Sequence, residues 1–274
     1  MNKVLLTGSE GFIGKYFREK IDCLCYDLEN GDDIRDKYKL ALLFENERFD
    51  TVINLAARAG VRFSEEYPEE YFSTNVTGLQ NIISLCSRYY VRLIHFSSSS
   101  VFKPKDDPLV EDDLKEPISV YGISKLAGEL LIKKSDINWT IIRPFTVLGG
   151  LGRKGMIIDR WITQIRRGEP VTFYGDGATS RGYTYARDLV SGVLRSTPGD
   201  FNLGGDQVVT LSDMWNIFKK VFPEAKRKFE LLPPYDIPRS MANTEKAFNQ
   251  FGWHPETDIK EKIKEWLQEL KTIK

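Results

Sequence analysis

Val4-Leu5-Leu6-Thr7-Gly8-Ser9-Glu10-Gly11-Phe12-Ile13-Gly14 passes from a short apolar run through glycines at three-residue intervals into a helix-like segment, Phe12 to Ile21. Glycines at a sharp strand-to-helix turn let backbone N–H groups and the positive helix end approach a phosphate. The turn reads as the start of a nucleotide-binding α/β unit when strands and helices continue to alternate after it. They do. Cys23 to Tyr26, Thr51 to Ala56, Leu93 to Ser97 and Trp139 to Arg143 have strand character, and Lys37 to Glu47, Tyr71 to Arg88 and Val120 to Lys134 have helix character. The expectation is an α/β protein built on a Rossmann-type, doubly wound parallel sheet.

The alternation falters after Pro144, where Gly149-Gly150-Leu151-Gly152 leads into shorter, mixed elements. Residues 1–148 are therefore expected to form the dinucleotide-binding domain, rejoined by about 183–205, and 149–274 a smaller mixed α/β substrate lobe. Ala186 to Ser196 reads as a helix returning to the sheet, and Leu211 to Phe222 and Ile259 to Leu270 as helices of the smaller lobe.

Bulk properties narrow the partners. With 39 basic and 39 acidic residues the formal net charge is zero, which removes the electrostatic case for nucleic acid or an anionic membrane. Cys23, Cys25 and Cys86 have neither disulfide nor metal spacing, and His95 and His254 form no metal pair, so no metal is expected. The apolar run at the N-terminus is too short for a signal peptide and nothing approaches a membrane span, so a cytoplasmic protein is expected. Trp215, Trp253 and Trp266 read as packing residues.

Asp27 ends the second strand 19 residues after Gly8, where a carboxylate accepts hydrogen bonds from an adenosine ribose and repels a 2′-phosphate, favouring NAD over NADP. Farther along, Tyr121 and Lys125 lie four apart on one helix face, downstream of the run Ser97-Ser98-Ser99-Ser100. An ammonium at that spacing favours a phenolate. A free tyrosine titrates near ~10, so acting as a base near neutrality needs about 4 kcal/mol of differential stabilisation, which a lysine and a cationic nicotinamide have the right sign to supply. Such a pair arises often by chance on amphipathic helices; its weight comes from the glycine turn, Asp27 and the serine run.

In combination these motifs resemble the extended short-chain dehydrogenase/reductase family. The resemblance covers nearly the whole chain: Asp33-Ile34 matches the adenine-contacting segment, Leu55-Ala56-Ala57 the stretch beneath the pyrophosphate, Asn75 the family asparagine, and Ser98, Tyr121 and Lys125 the catalytic triad. It implies a tightly bound NAD contacted by Gly8, Gly11, Phe12, Ile13, Gly14, Asp27, Asp33, Ile34, Leu55, Ala56, Ala57, Asn75, Ser97, Tyr121, Lys125 and Pro144. A homodimer through the helices around Tyr71 to Arg88 and Val120 to Lys134 is implied as well.

Within the family the sequence is most similar to nucleotide-sugar 4-epimerases, particularly those acting on UDP-glucuronate. Ala59-Gly60-Val61-Arg62-Phe63-Ser64, Arg143-Pro144-Phe145-Thr146-Val147-Leu148-Gly149 and Gly175-Asp176-Gly177 with Arg181 carry this similarity. It implies that Ser98, Ser99, Ser100, Thr146 and Arg153 receive the sugar carboxylate, and that Arg62, Arg181 and Arg239 join Tyr121 in binding the nucleotide sugar. Ser99-Ser100 stands where 4,6-dehydratases carry an acid and a base, which weakens that reading. UDP-glucose or UDP-N-acetylglucosamine 4-epimerases, dTDP-4-keto-6-deoxysugar reductases (through Val120 to Glu129) and a non-catalytic NAD(H)-sensing subunit are the other readings.

Overall fold

The computed structural model describes residues 3–150, 152, 154–234 and 236–272. At its centre lies a six-stranded sheet of β1 (Val4–Thr7), β2 (Leu24–Tyr26), β3 (Thr51–Asn54), β4 (Arg92–Phe96), β5 (Trp139–Pro144) and β10 (Gly199–Leu203), in the order β10-β5-β4-β3-β1-β2. Every pairing in it is parallel. Side chains of successive strand residues point to opposite faces, so the continuous apolar runs signal burial on both sides. Leu5 and Leu6 are both fully buried, yet in different cores. Leu5 joins Val52, Leu93 and Ile141 beneath α2 (Lys37–Asn46), α5 (Leu79–Tyr89) and α6 (Val120–Lys134). Leu6 joins Ile53, Ile94 and Ile142 beneath α1 (Phe12–Arg18) and α8 (Ala186–Arg195). Burying each such leucine is worth about 1.5–3 kcal/mol, and the two cores clamp the sheet from both faces.

The strand ends differ slightly from expectation. β3 stops at Asn54; the next residue, Leu55, still donates its N–H to the Thr7 carbonyl at 3.1 Å, and its backbone lies against Gly8. Tyr71 to Arg88 is helical throughout, as expected, with a π-helical turn, Ser73–Gly78, between α4 (Pro68–Phe72) and α5; the short α3 (Val61–Glu66) precedes it. A π turn carries one residue more than an α-helical turn, and residue spacing alone does not betray it. β2 forms one sheet edge, and the chain goes from Asp27 through a 3₁₀ turn toward α2.

The second lobe is built on α7 (Ile157–Arg166), β7 (Val171–Tyr174), α9 (Leu211–Val221), β12 (Arg227–Glu230) and α11 (Ile259–Thr272). Trp161, Phe173, Phe218 and Trp266 form its core, and a Thr210–Asp213 capping box starts α9. The lobes are joined by β6 (Val147–Leu148) pairing with β9 (Thr184–Tyr185), and a small sheet of β8 (Ser180–Gly182), β11 (Val208–Thr210) and β13 (Arg239–Ser240) lies alongside. One return to the nucleotide-binding side was not anticipated. Ala247 of α10 (Glu245–Phe251) and Trp253 are buried in the same core as Leu6, and the Trp253 indole N–H donates to the Asp188 carbonyl at 2.9 Å. The chain thus crosses between lobes late in the sequence as well as near Pro144.

Candidate active site

The C-terminal ends of β1 to β5 open onto two adjoining cavities, of about 380 and 240 Å³, which share Gly8, Gly11, Leu55 and Ala57. This is where an open α/β sheet binds its ligands. Gly8 has φ +71°, and a Cβ there would lie 2.7 Å from the Ala56 nitrogen, so only glycine lets the loop settle against β3. Gly11 is exposed and borders both cavities, leaving backbone open toward them. A pyrophosphate linking two halves of a dinucleotide fits this cradle.

In the smaller cavity stand Asp27, Asp33, Ile34 and Ala56. The Asp27 carboxylate accepts from the Glu10 N–H at 2.8 Å and the Glu29 N–H at 2.9 Å, so the carboxylate is fixed at the turn's outer end. Arg35 grips Asp33 through Nε and Nη2 at 2.9 and 2.6 Å, and these hydrogen bonds hold the Asp33 carboxyl below the usual carboxylate range. Asn75, expected among the cofactor ligands, borders neither cavity. Its amide is used within the protein: Oδ1 accepts from the Arg58 N–H at 2.8 Å, and Nδ2 donates to the Arg58 carbonyl at 3.0 Å and to Ser124 Oγ at 2.9 Å. It ties the loop after β3 to α6, a positioning role, and the π turn supplies its direction.

The larger cavity is lined by Phe12, Ile13, Gly14, Ser97, Ser98, Ser99, Ser100, Tyr121, Lys125, Pro144 and Thr146 among others. Local rules bring these together. Ser119 caps α6 by accepting from the Gly122 N–H at 3.1 Å. A Cβ on Gly122 would lie 2.3 Å from the Ser100 carbonyl oxygen, so glycine after Tyr121 lets the helix start press against the serine loop. Ser98 in turn caps the 3₁₀ turn Ser99–Val101, accepting from the Ser100 N–H at 3.1 Å. Its own hydroxyl hydrogen is left to donate. Tyr71 stacks edge-on against Tyr121, with ring centroids 6.2 Å apart.

Lys125 is buried, and its ammonium donates to the Phe96 carbonyl at 2.7 Å. Burial brings its pKa down to about 8, with the Glu129 carboxylate opposing the fall. Glu129 sits one helical turn farther along and is itself sealed in: it accepts from Ser97 Oγ at 2.5 Å and takes two hydrogen bonds from the fully buried Arg143 at 2.8 and 2.7 Å. Arg143 also reaches Asp200 at 2.8 Å, where Lys133 and Lys246 converge. This buried charge network backs both Ser97 and Lys125. His95, also buried, is held neutral by burial and by the Lys125 charge.

Of the arginines expected at the substrate, Arg153 lies outside the described residues. Arg62 donates to the Tyr174 hydroxyl at 2.9 Å, Arg181 pairs with Asp236 at 2.6 Å, and Arg239 follows on β13 beside β8. None of these three borders either cavity; Arg62 stands on α3 of the first lobe, and Arg181 and Arg239 on the small sheet of β8, β11 and β13. Sequence reading assigns no individual role to Glu129, Arg143 or Tyr174. Glu129 at four residues past Lys125 was the available signal; the others come from segments far apart in the chain.

Residues 4–204 match the NAD dependent epimerase/dehydratase family. The chain belongs to this family. A UDP-glucuronate 4-epimerase from Thermodesulfobacterium geofontis is 32% identical over 261 residues, covering 88% of this chain and 81% of its relative. Among solved structures, that of a UDP-glucuronic acid 4-epimerase from Bacillus cereus, in complex with UDP-glucuronic acid and NAD, superposes with a TM-score of 0.88 at 26% identity, covering 99% of this chain and 100% of the other. MoeE5, in complex with UDP-glucuronic acid and NAD, superposes with a TM-score of 0.87 at 27% identity, covering 98% and 99%. The cofactor of this NAD-dependent epimerase/dehydratase family accords with a carboxylate at Asp27. No helix among the described residues is long and apolar enough to cross a membrane.

Proposed function

We propose that this protein is a UDP-glucuronate 4-epimerase, converting UDP-glucuronate to UDP-galacturonate through a transient 4-keto sugar. One observation carries the reading: Tyr121 and Lys125 share a cavity with five hydroxyl side chains, Ser97, Ser98, Ser99, Ser100 and Thr146, and no carboxylate borders it among the described residues. A dehydratase needs an acid and a base there, and a serine hydroxyl is too far from ionising to replace either. Hydroxyls instead donate to a carboxylate without adding charge. That matters because a C4 ketone makes the sugar a β-keto acid, prone to lose carbon dioxide when its carboxylate is free to align with the ketone.

Bound NAD supplies a hydride acceptor that later returns the hydride to C4. Tyr121, as phenolate, takes the proton of the sugar 4-hydroxyl, and Ser98 hydrogen-bonds the same oxygen. The Lys125 ammonium favours that phenolate. Ser99, Ser100 and Thr146 hold the carboxylate while the keto sugar turns to present its other face. Tyr121 then gives its proton back to the 4-oxygen of the inverted sugar. Arg181, with Arg239, holds the nucleotide diphosphate through the turn. Association through α4, α5 and α6 into a homodimer, in the cytoplasm, belongs to the same reading; Phe72 exposed on α4 and Ile123 and Leu130 exposed on α6 support the association.

Incubation with UDP-glucuronate and no added reductant, read by NMR, should give a product inverted at C4, and Tyr121→Phe should retain NAD while losing nearly all turnover. Dependence on stoichiometric NAD(P)H would replace the epimerase with a reductase. No turnover of any nucleotide sugar would point to an NAD(H)-binding subunit.

A further inference from the structure

The N–H groups of Val120, Tyr121 and Gly122 open α6, where no carbonyl of the helix itself reaches them. All three have acceptors. Only one acceptor is local: Ser119 Oγ takes the Gly122 N–H at 3.1 Å. The other two come from α3, 57 and 55 residues earlier, where Ser64 Oγ accepts from the Tyr121 N–H at 3.0 Å and the Glu65 carboxylate from the Val120 N–H at 2.9 Å.

Ser64 faces two ways. Its buried hydroxyl also donates to the Val61 carbonyl at 2.6 Å, so one oxygen joins the start of α6 to the residue that, with Ala59 and Gly60, walls the larger cavity. Tyr71 ties the same two parts together by another route: its hydroxyl donates to the Gly60 carbonyl at 2.8 Å, and its ring lies edge-on to that of Tyr121. Gly60 itself has φ +109°, a conformation that side chains disfavour, so the wall enters α3 through a turn that glycine alone makes easily.

A local cap such as Ser119 stabilises a helix start without fixing where the helix lies. Acceptors borrowed from α3 do fix it, because sliding or fraying the first turn of α6 would strip a buried serine of its donor. Placement matters here: a displacement of about 1 Å at a reacting group can cost roughly 100-fold in rate. An epimerase asks for it twice over, since Tyr121 must meet the 4-oxygen once for each face of the sugar.

We propose that Ser64 is a positioning residue for the reaction, tying the backbone of Tyr121 to the wall formed by Ala59, Gly60 and Val61, with Glu65 securing the residue before it. This rests on the reading of Tyr121 as the base at the sugar 4-oxygen.

The test compares Ser64→Ala and Glu65→Ala with wild type on UDP-glucuronate carrying hydrogen or deuterium at C4. Ser64→Ala should lower kcat about 10–100-fold with KM and bound NAD nearly unchanged, and Glu65→Ala, at an exposed side chain, should lower it less. The isotope effect on kcat should rise, because a misplaced Tyr121 slows the step that breaks the C4–H bond. The acid limb of kcat should move to higher pH as the phenolate loses the Lys125 ammonium as a close neighbour. A helix that merely unfolds more often lowers kcat and melting temperature together and leaves both signatures in place; that result overturns the proposal, as does a Ser64→Ala kcat within about twofold of wild type. Phenolate absorbance of the NAD-loaded protein, each form minus its Tyr121→Phe counterpart, reads the same titration without turnover, and an unmoved titration in Ser64→Ala overturns the proposal whatever the substrate. If Ser64→Ala does not fold, the isotope effect in Glu65→Ala decides. Activity surviving in Tyr121→Phe would sink the base reading; an inactive Tyr121→Phe beside a fully active Ser64→Ala would sink this inference alone.

Discussion

Replacing Arg143 with methionine removes the hub of the buried network while conserving much of its volume. The guanidinium is fully buried and makes three charged hydrogen bonds, at 2.8 and 2.7 Å to Glu129 and 2.8 Å to Asp200. Glu129 would be left with the Ser97 hydroxyl as its hydrogen-bond donor in a site where its side chain is 1% exposed. An uncompensated buried charge of this kind costs about 3–5 kcal/mol. Asp200 adds less, because Lys133 and Lys246 still reach it and 16% of its side chain is exposed. For a chain of this length each kcal/mol lowers the melting temperature by about 2–4 °C, so Arg143→Met should melt on the order of 10 °C below wild type. Adding Glu129→Gln should recover part of the loss, because the stranded carboxylate is then neutral. The assay is thermal and urea denaturation by circular dichroism on wild type, both single variants and the double variant. A loss under about 1 kcal/mol in Arg143→Met, or strict additivity in the double variant, would show that Glu129 finds solvent or another partner and that the network does not act as a unit. Burial alone would raise the Asp200 carboxyl, but Arg143, Lys133 and Lys246 hold it well below its ordinary value. Its contribution is therefore complete above the unfolded value near ~3.9 and is lost as pH falls toward the depressed folded one.

Lys125, with its pKa brought down by burial to about 8, should lose its charge as pH rises past that point. Turnover should fall along an alkaline limb there, while stability rises between pH 8 and the unfolded value near ~10.4, since the unfolded chain binds the extra proton across that window; a rate still climbing at pH 9.5 contradicts the need for an ammonium. Gly8→Ala forces a side chain at φ +71° to within 2.7 Å of the Ala56 nitrogen, and strain of about 1–3 kcal/mol at the cradle should lower NAD affinity at least tenfold in a fluorescence titration; unchanged affinity would mean the loop is not the cofactor's seat. Thr146→Val and Ser100→Ala should raise the share of decarboxylated UDP-pentose in the NMR product spectrum at modest cost to turnover, and an unchanged product ratio would remove the carboxylate-holding role from these hydroxyls.

The parallel sheet was legible because β1, β3, β4 and β5 are buried on both faces, which leaves runs of apolar residues that no other arrangement explains. The ligand end was legible because its parts are local in sequence: Gly8 with Gly11, the serines with each other, Tyr121 with Lys125. The parts that escaped are assembled from distant segments. Arg143 meets Asp200 across 57 residues, and Arg62 meets Tyr174 across 112; spacing carries no trace of either pairing. Trp253 escaped for a different reason: a buried tryptophan looks the same in sequence whichever core it fills, and only the path of the chain puts it beside Leu6. Asn75 was noticed for its type and neighbours, but its partners show that it shapes the site from behind.

The π turn at Ser73–Gly78 makes helix length, rather than side-chain chemistry, a variable of this active site. A wider turn holds one residue more than an α-helix needs, so it stores an angular offset between α4 on one side and α5 on the other. Residues on α5 keep their grip on the sheet while Asn75 faces Arg58 and Ser124, two demands that a uniform helix would not meet together. Alanine scanning would register Asn75 and pass over its neighbours. Deleting a single residue there would leave every remaining side chain intact, relax the segment to ordinary helix, and rotate the asparagine out of reach.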